Sequence, residues 1–218
     1  MDKTHIISNT IIFVKKELQN AEGGHDWFHI ERVYKNAKLI AKSEDVDLFI
    51  VELAALLHDI ADSKFHNGDE AIGPKKALEF LKSQNIEISI REHIIAIIAN
   101  MSFSKSLDKT STFTSLEMKV VQDADRLDAI GAIGVARAFN YGGFKNRAIY
   151  NPKIKPNLNF TKEEYKKSNA PTINHFYEKL LLLKDKMNTK TGKEIAQQRH
   201  DFMRLFLTQF YSEWNGEK

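Results

Sequence analysis

The chain has 218 residues with 42% hydrophobic side chains, enough for a sizeable core and against wholesale disorder. No cysteine is present, which excludes disulfides and thiolate metal sites and fits a reducing cytoplasm. A formal net charge of +3 is too small to mark a nucleic-acid protein and is compatible with anionic small molecules.

In chain order, apolar residues recur at helical spacing, with no run of strand alternation and no internal repeat. The expectation is an all-α fold, one domain over residues 1–218, with its main motifs within 23–140 and a helical C-terminal part over 160–214. Helices are expected at about 4–20, 27–42, 47–60, 69–83, 87–101, 115–140, 161–167, 171–186 and 191–213. In the first, charges break the apolar patches of MDKTHIISNTIIFVKKEL within a few residues, so neither a signal peptide nor a membrane span is expected. Asp26 is a good N-cap for the second, whose Trp27, Ile30, Val33, Ala37 and Ile40 share a face. The third, VELAALL, is apolar nearly all round and leads into LLHDIADSKF, where His58 and Asp59 interrupt it. Gly68 and Gly73-Pro74 end that element soon afterwards. Residues 140–160, NYGGFKNRAIYNPKIKPNLNF, are expected to form a basic loop with Lys145, Arg147, Lys153 and Lys155, hinged at Gly142-Gly143 as a mobile lid.

Two polar side chains at the end of a buried helix need partners. If His58 and Asp59 bind a metal, further N and O donors must come from elsewhere in the chain. GGHDWFHIERV offers His25, Asp26 and His29, with His29 one helical turn beyond His25. VVQDADRLDAIGAIGVARAF offers Asp123, Asp125 and Asp128, at the start of a stretch whose glycines and alanines permit close packing. One buried His is ordinarily a hydrogen-bonded core residue, and one Asp a helix cap. Three such groups together favour a divalent cation, because each unpaired buried carboxylate would cost several kcal/mol. Asp123 and Asp125 lie about 200° apart on a helix, so they cannot both face one ion, and spacing alone does not choose between them.

The order His29, His58-Asp59, Asp125 resembles the HD-domain metal-dependent phosphohydrolase superfamily. The segments GGHDWFHIERV, LLHDIADSKF, QDADRLDAIGAIGVAR and HFYEKLLLLKDKMNT together look like its small stand-alone bacterial hydrolases, one of which is described as a nucleotide pyrophosphohydrolase; the likeness runs from about Gly23 to Trp214. That resemblance implies an HD-domain helical bundle in which His29, His58, Asp59 and Asp125 hold one divalent metal, Asp125 being preferred by its ADxL context. Two imidazoles and two carboxylates with open positions suit Mn²⁺ first, with Fe²⁺, Co²⁺, Ni²⁺ or Mg²⁺ as alternatives, better than a closed structural zinc. From their positions beside these ligands and in the basic loop, Asp62 and His25 are expected to assist catalysis and Lys64 and Arg147 to contact substrate phosphate; His175 and Lys179, in HFYEKLLLLKDK, look like the family's carboxy-terminal motif and are expected to contact phosphate too.

The expected activity is hydrolysis of nucleoside triphosphates to monophosphate and pyrophosphate by a cytoplasmic enzyme with a small nucleotide substrate and no membrane partner, and a homodimer is compatible with it. Alternatives are hydrolysis of nucleoside monophosphates, cyclic nucleotides or alarmones, or a nucleotide-sensing module without turnover. A nuclease would want a longer basic stripe with interleaved aromatics than residues 144–155 provide.

Overall fold

The computed structural model describes residues 2–19, 21, 25–61, 71–101, 113–159 and 168–218. Among them every regular element is helical, as the sequence leads one to expect. The chain divides into two compact units, Met1–Asp125 and Arg126–Lys218. Among the described residues no helix is long and apolar enough to cross a membrane.

The first unit holds α1 (Lys3–Glu17), α2 (Trp27–Ala41), α3 (Leu48–Leu57), α4 (Ile72–Ser83), α5 (Ile88–Asn100) and most of α6 (Leu116–Asp128). Helix α3 is the centre of this unit, packing against α1, α2 and α5. Its residues Phe49, Ile50, Val51, Leu53, Ala54, Ala55, Leu56 and Leu57 are all buried, which is the behaviour of a helix apolar on every side. Burying one of these large aliphatic side chains contributes about 1.5–3 kcal/mol relative to exposure. Helix α2 instead buries one stripe, His29, Ile30, Val33, Ala37 and Ile40. The Asp26 side chain accepts from the His29 backbone N–H at 3.0 Å, so the expected N-cap forms and fixes where His29 enters the helix. At the start of α6, Ser115 Oγ accepts from the Met118 N–H at 3.1 Å.

The second unit begins in the last turn of α6 and continues with α7 (Gly131–Phe144), α8 (Thr172–Glu178), a 3₁₀ helix (Leu180–Lys186) and α9 (Lys190–Trp214). Three expectations need correcting here. The helix expected over 115–140 is two helices. Gly131 adopts φ +76°, and a Cβ at Gly134 would lie 2.3 Å from the Ala129 carbonyl oxygen, so the chain turns a tight corner at Ala129-Ile130 that only these glycines permit. Arg137 Nη1 donates to both the Asp128 carboxylate and the Asp128 carbonyl, and Arg199 Nη1 donates to the Leu127 carbonyl at 2.5 Å, so guanidinium groups satisfy the carbonyls left open at the end of α6.

The second correction concerns Gly142-Gly143, which lies inside α7 and is no hinge. A Cβ at Gly142 would stand 2.2 Å from Thr172 Oγ1, so the residue's smallness, not its freedom, is what the fold uses. The third concerns the helix expected over 171–186, which is α-helical only to Glu178 before Lys179 breaks the pattern (φ −144°, ψ −56°) and the chain tightens to 3₁₀. Leu180 and Leu183 are buried there. The helix expected over 161–167 lies outside the described residues. An aromatic cluster, with Phe176 buried at its centre, spans this unit: the Phe139, Phe176 and Phe206 rings lie 5.8–6.0 Å apart, and Tyr150 meets the half-exposed Trp214 at 4.9 Å.

Candidate metal centre

Helix α3 ends at His58, and the way it ends prepares a ligand. His58 Nδ1 lies 2.9 Å from the Ala55 carbonyl oxygen, one of the last carbonyls of the helix. A carbonyl only accepts, so Nδ1 carries the proton and Nε2 presents a lone pair. That Nε2 is buried and without a hydrogen-bond partner. A buried, unpartnered imidazole nitrogen is costly unless a cation meets it.

The surrounding groups match that need. His29 Nε2 lies 3.6 Å, and His58 Nε2 3.9 Å, from Asp125 Oδ1. Among the described residues His29, His58 and Asp125 form the group whose ligand atoms all fall within 4.8 Å of one another. The His29 ring is 5.4 Å from that of His58, at an interplanar angle of 66°. His29 is almost wholly buried, whereas the Asp125 side chain is 43% exposed, so the centre has an anchored floor and an open side. Two imidazole nitrogens and a carboxylate oxygen suit a divalent cation of intermediate softness, and an open side leaves coordination positions for other ligands. The residues therefore fit a metal.

Asp59 is placed differently from the other three residues that the resemblance assigns to the metal. Its Oδ2 receives His25 Nδ1 at 2.6 Å, and it lies outside the three-residue group. Burial alone would raise its pKa; the hydrogen bond from His25 and the nearby imidazoles of His58, His25 and His29 outweigh burial and hold the carboxyl down to about 2. His25 precedes the N-cap of α2, and its ring lies 6.1 Å from that of His29. Asp123 is fully buried and outside the group. Asp128 is buried against Arg137. His93 serves the start of α6, its Nε2 lying 2.9 Å from Ser115 Oγ and 3.5 Å from Glu117 Oε2. Asp62 and Lys64 fall outside the described residues.

The other residues expected to meet phosphate, Arg147, His175 and Lys179, are in the second unit. Arg147 Nη2 donates to the Ser168 carbonyl at 2.6 Å, and its guanidinium lies 5.5 Å from the centre of the Tyr141 ring. Burial, then the charges of Lys179 and Arg147, depress the pKa of His175 to about 3. Sequence reasoning missed the Ala55 carbonyl and the arginine caps on α6. The first had a signal, since a His three residues beyond a carbonyl at a helix end can reach it; Arg199, seventy-two positions from Leu127, had none.

The HD domain family matches residues 27–130, which include His29, His58, Asp59 and Asp125. The chain is similar to the protein YpgQ of Bacillus subtilis (strain 168), 38% identical over 204 residues, 94% of this chain and 91% of YpgQ. Among solved structures, an HD-superfamily hydrolase from Bacillus thuringiensis is 46% identical with a TM-score of 0.79, covering 98% of each chain. Bacillus subtilis YpgQ in complex with ADP is 35% identical with a TM-score of 0.75, covering 98% of this chain and 97% of that one.

Proposed function

This chain belongs to the HD superfamily of metal-dependent phosphohydrolases, and we propose that it acts on small nucleotides, cleaving nucleoside triphosphates to monophosphate and pyrophosphate. The observation that carries the metal dependence is the buried, unpartnered Nε2 of His58, facing His29 and Asp125. Support for a nucleotide comes from the ADP bound to the similar YpgQ, and support for the pyrophosphate-releasing branch from the resemblance of the four motifs. We assign His29, His58, Asp59 and Asp125 to one divalent ion, Mn²⁺ in the first instance.

Such an ion, when bound, supplies Lewis acidity at a phosphoryl oxygen and lowers the pKa of a coordinated water. The chain's own residues supply the rest. The Ala55 carbonyl locks the His58 tautomer, so the imidazole presents the nitrogen that binds. His25 donates to Asp59 and holds its carboxylate oriented and charged. Asp125 provides negative charge on the open side. His25 and Asp62 are assigned to orientation and proton transfer, and Lys64, Arg147, His175 and Lys179 to phosphate, on the sequence reading.

The test is a screen of Mn²⁺-loaded protein against nucleoside mono-, di- and triphosphates with product identification. Release of pyrophosphate from triphosphates is expected. Orthophosphate as the product, or turnover of monophosphates alone, would overturn the assignment of the bond, and ADP binding without turnover of any nucleotide would make the protein a sensing module.

A further inference from the structure

The first turn of α2 carries two aromatic side chains in different situations. Trp27 is half-buried and has the Lys15 ammonium over its ring at 4.7 Å. Phe28 is 62% exposed, and among the described residues its ring meets neither another ring nor a cation. Of the large apolar side chains left exposed among the described residues of the first unit, it is the one aromatic. Exposing so much apolar area contributes nothing to folding.

Its position suggests a use. Phe28 directly precedes His29, so its Cα is about 3.8 Å from the Cα of a residue in the metal centre. The Asp26 cap fixes both residues in the first helical turn, which gives the ring a rigid base. The centre is open to solvent through Asp125, 43% exposed, and His25, 29% exposed. Successive side chains of a helix diverge by about 100°, so Phe28 leaves this turn on the solvent side of the buried His29, and the base of a nucleotide whose phosphates met those groups would come within one nucleotide's length of it.

We infer that the exposed ring of Phe28 is the stacking surface for the nucleobase, and so a specificity-determining residue of this centre; the inference rests on the nucleotide reading above. Stacking uses the π-face that every base has, so this contact favours nucleotides over base-free phosphates and discriminates weakly among bases. Equilibrium binding of ADP and of inorganic pyrophosphate to the Mn²⁺-loaded full chain tests it, in wild type, Phe28→Ala and Phe28→Trp. The Ala variant should weaken ADP roughly tenfold, the size of one lost base–aromatic stack, and leave pyrophosphate within about twofold. Phe28→Trp should hold ADP at least as tightly as wild type. Unchanged ADP binding in Phe28→Ala, or equal weakening of both ligands, would overturn the inference while leaving the nucleotide reading intact. Failure of wild type itself to bind ADP would overturn both.

Discussion

Asp125→Asn separates a metal ligand from a structural acid. The substitution keeps the shape of the side chain and removes its charge, and Asp125 Oδ1 is the oxygen that both His29 Nε2 and His58 Nε2 face, at 3.6 and 3.9 Å. In the metal-free protein the cost is small, about 0.5 kcal/mol or less, because the side chain is 43% exposed and a surface change of this kind disturbs no core. For the ion the loss is much larger. A charge-assisted contact contributes about 1.5–3 kcal/mol, so the Mn²⁺ dissociation constant should rise by roughly 10- to 150-fold. Thermal unfolding reports both effects. With Mn²⁺ at about 100 times the wild-type dissociation constant, linkage adds about 2.7 kcal/mol, which for a chain of this length raises Tm by roughly 5–11 °C. A variant whose dissociation constant is a hundredfold higher gains only about 0.4 kcal/mol at the same Mn²⁺, or roughly 1–2 °C. Equal Mn²⁺-induced shifts in the two proteins would refute the reasoning, and loss of the shift in Asp123→Asn alone would move the ligand to the neighbouring acid.

Other expected outcomes follow the same geometry. His58→Ala should lose bound metal and hydrolysis while circular dichroism keeps its helical signal; full metal content in the purified variant would sink the assignment. His175 has its folded pKa depressed from 6.5 to about 3, so its neutral form is the stable one, and its contribution is complete above about pH 6.5 and lost as pH falls towards 3. Urea unfolding of His175→Gln should therefore depend less on pH across that window than unfolding of wild type, and parallel profiles would contradict it. Gly142→Ala should destabilise by about 1–3 kcal/mol, because its Cβ would meet Thr172. Gly143→Ala, with nothing within 4 Å, should stabilise by about 0.5–1 kcal/mol through helix propensity, and a loss of stability there would contradict the open helical position.

What the sequence made legible was whatever burial writes into periodicity. Ile30, Val33, Ala37 and Ile40, placed on one face of α2 by spacing, are each fully buried, and the apolar run Leu53–Leu57 of α3 is buried throughout. The corner at Ala129-Ile130 was not legible because α6 and α7 are each helical, and two helical patterns abutting at two residues read as one. Gly142 misled for the converse reason. Glycine marks loops when its backbone freedom is used, but here α7 needs a missing side chain against Thr172, which depends on a partner thirty residues away. Within the centre, the residue types and their order pointed to His29, His58 and Asp125. Spacing could show that Asp123 and Asp125 face different ways, yet only the fold shows that Asp123 points into the fully buried interior. The pairing of Asp59 with His25 was hidden too, since nothing in the letters says which of two nearby histidines a carboxylate will take.

The corner between α6 and α7 makes linker length, more than linker composition, the quantity under constraint. One inserted residue would rotate α7 about 100° on its axis. That rotation would carry Arg137 off Asp128, swing Gly134 away from the Ala129 carbonyl so that a bulkier residue took its place, and turn Phe139 out from between Phe176 and Phe206. The two residues Ala129 and Ile130 thus set the phase of the helix that follows them. Among variants of this chain, point substitutions at Ile133 or Ala136, both exposed on α7, should be borne easily. Single-residue insertions and deletions at positions 129–130 should be purged.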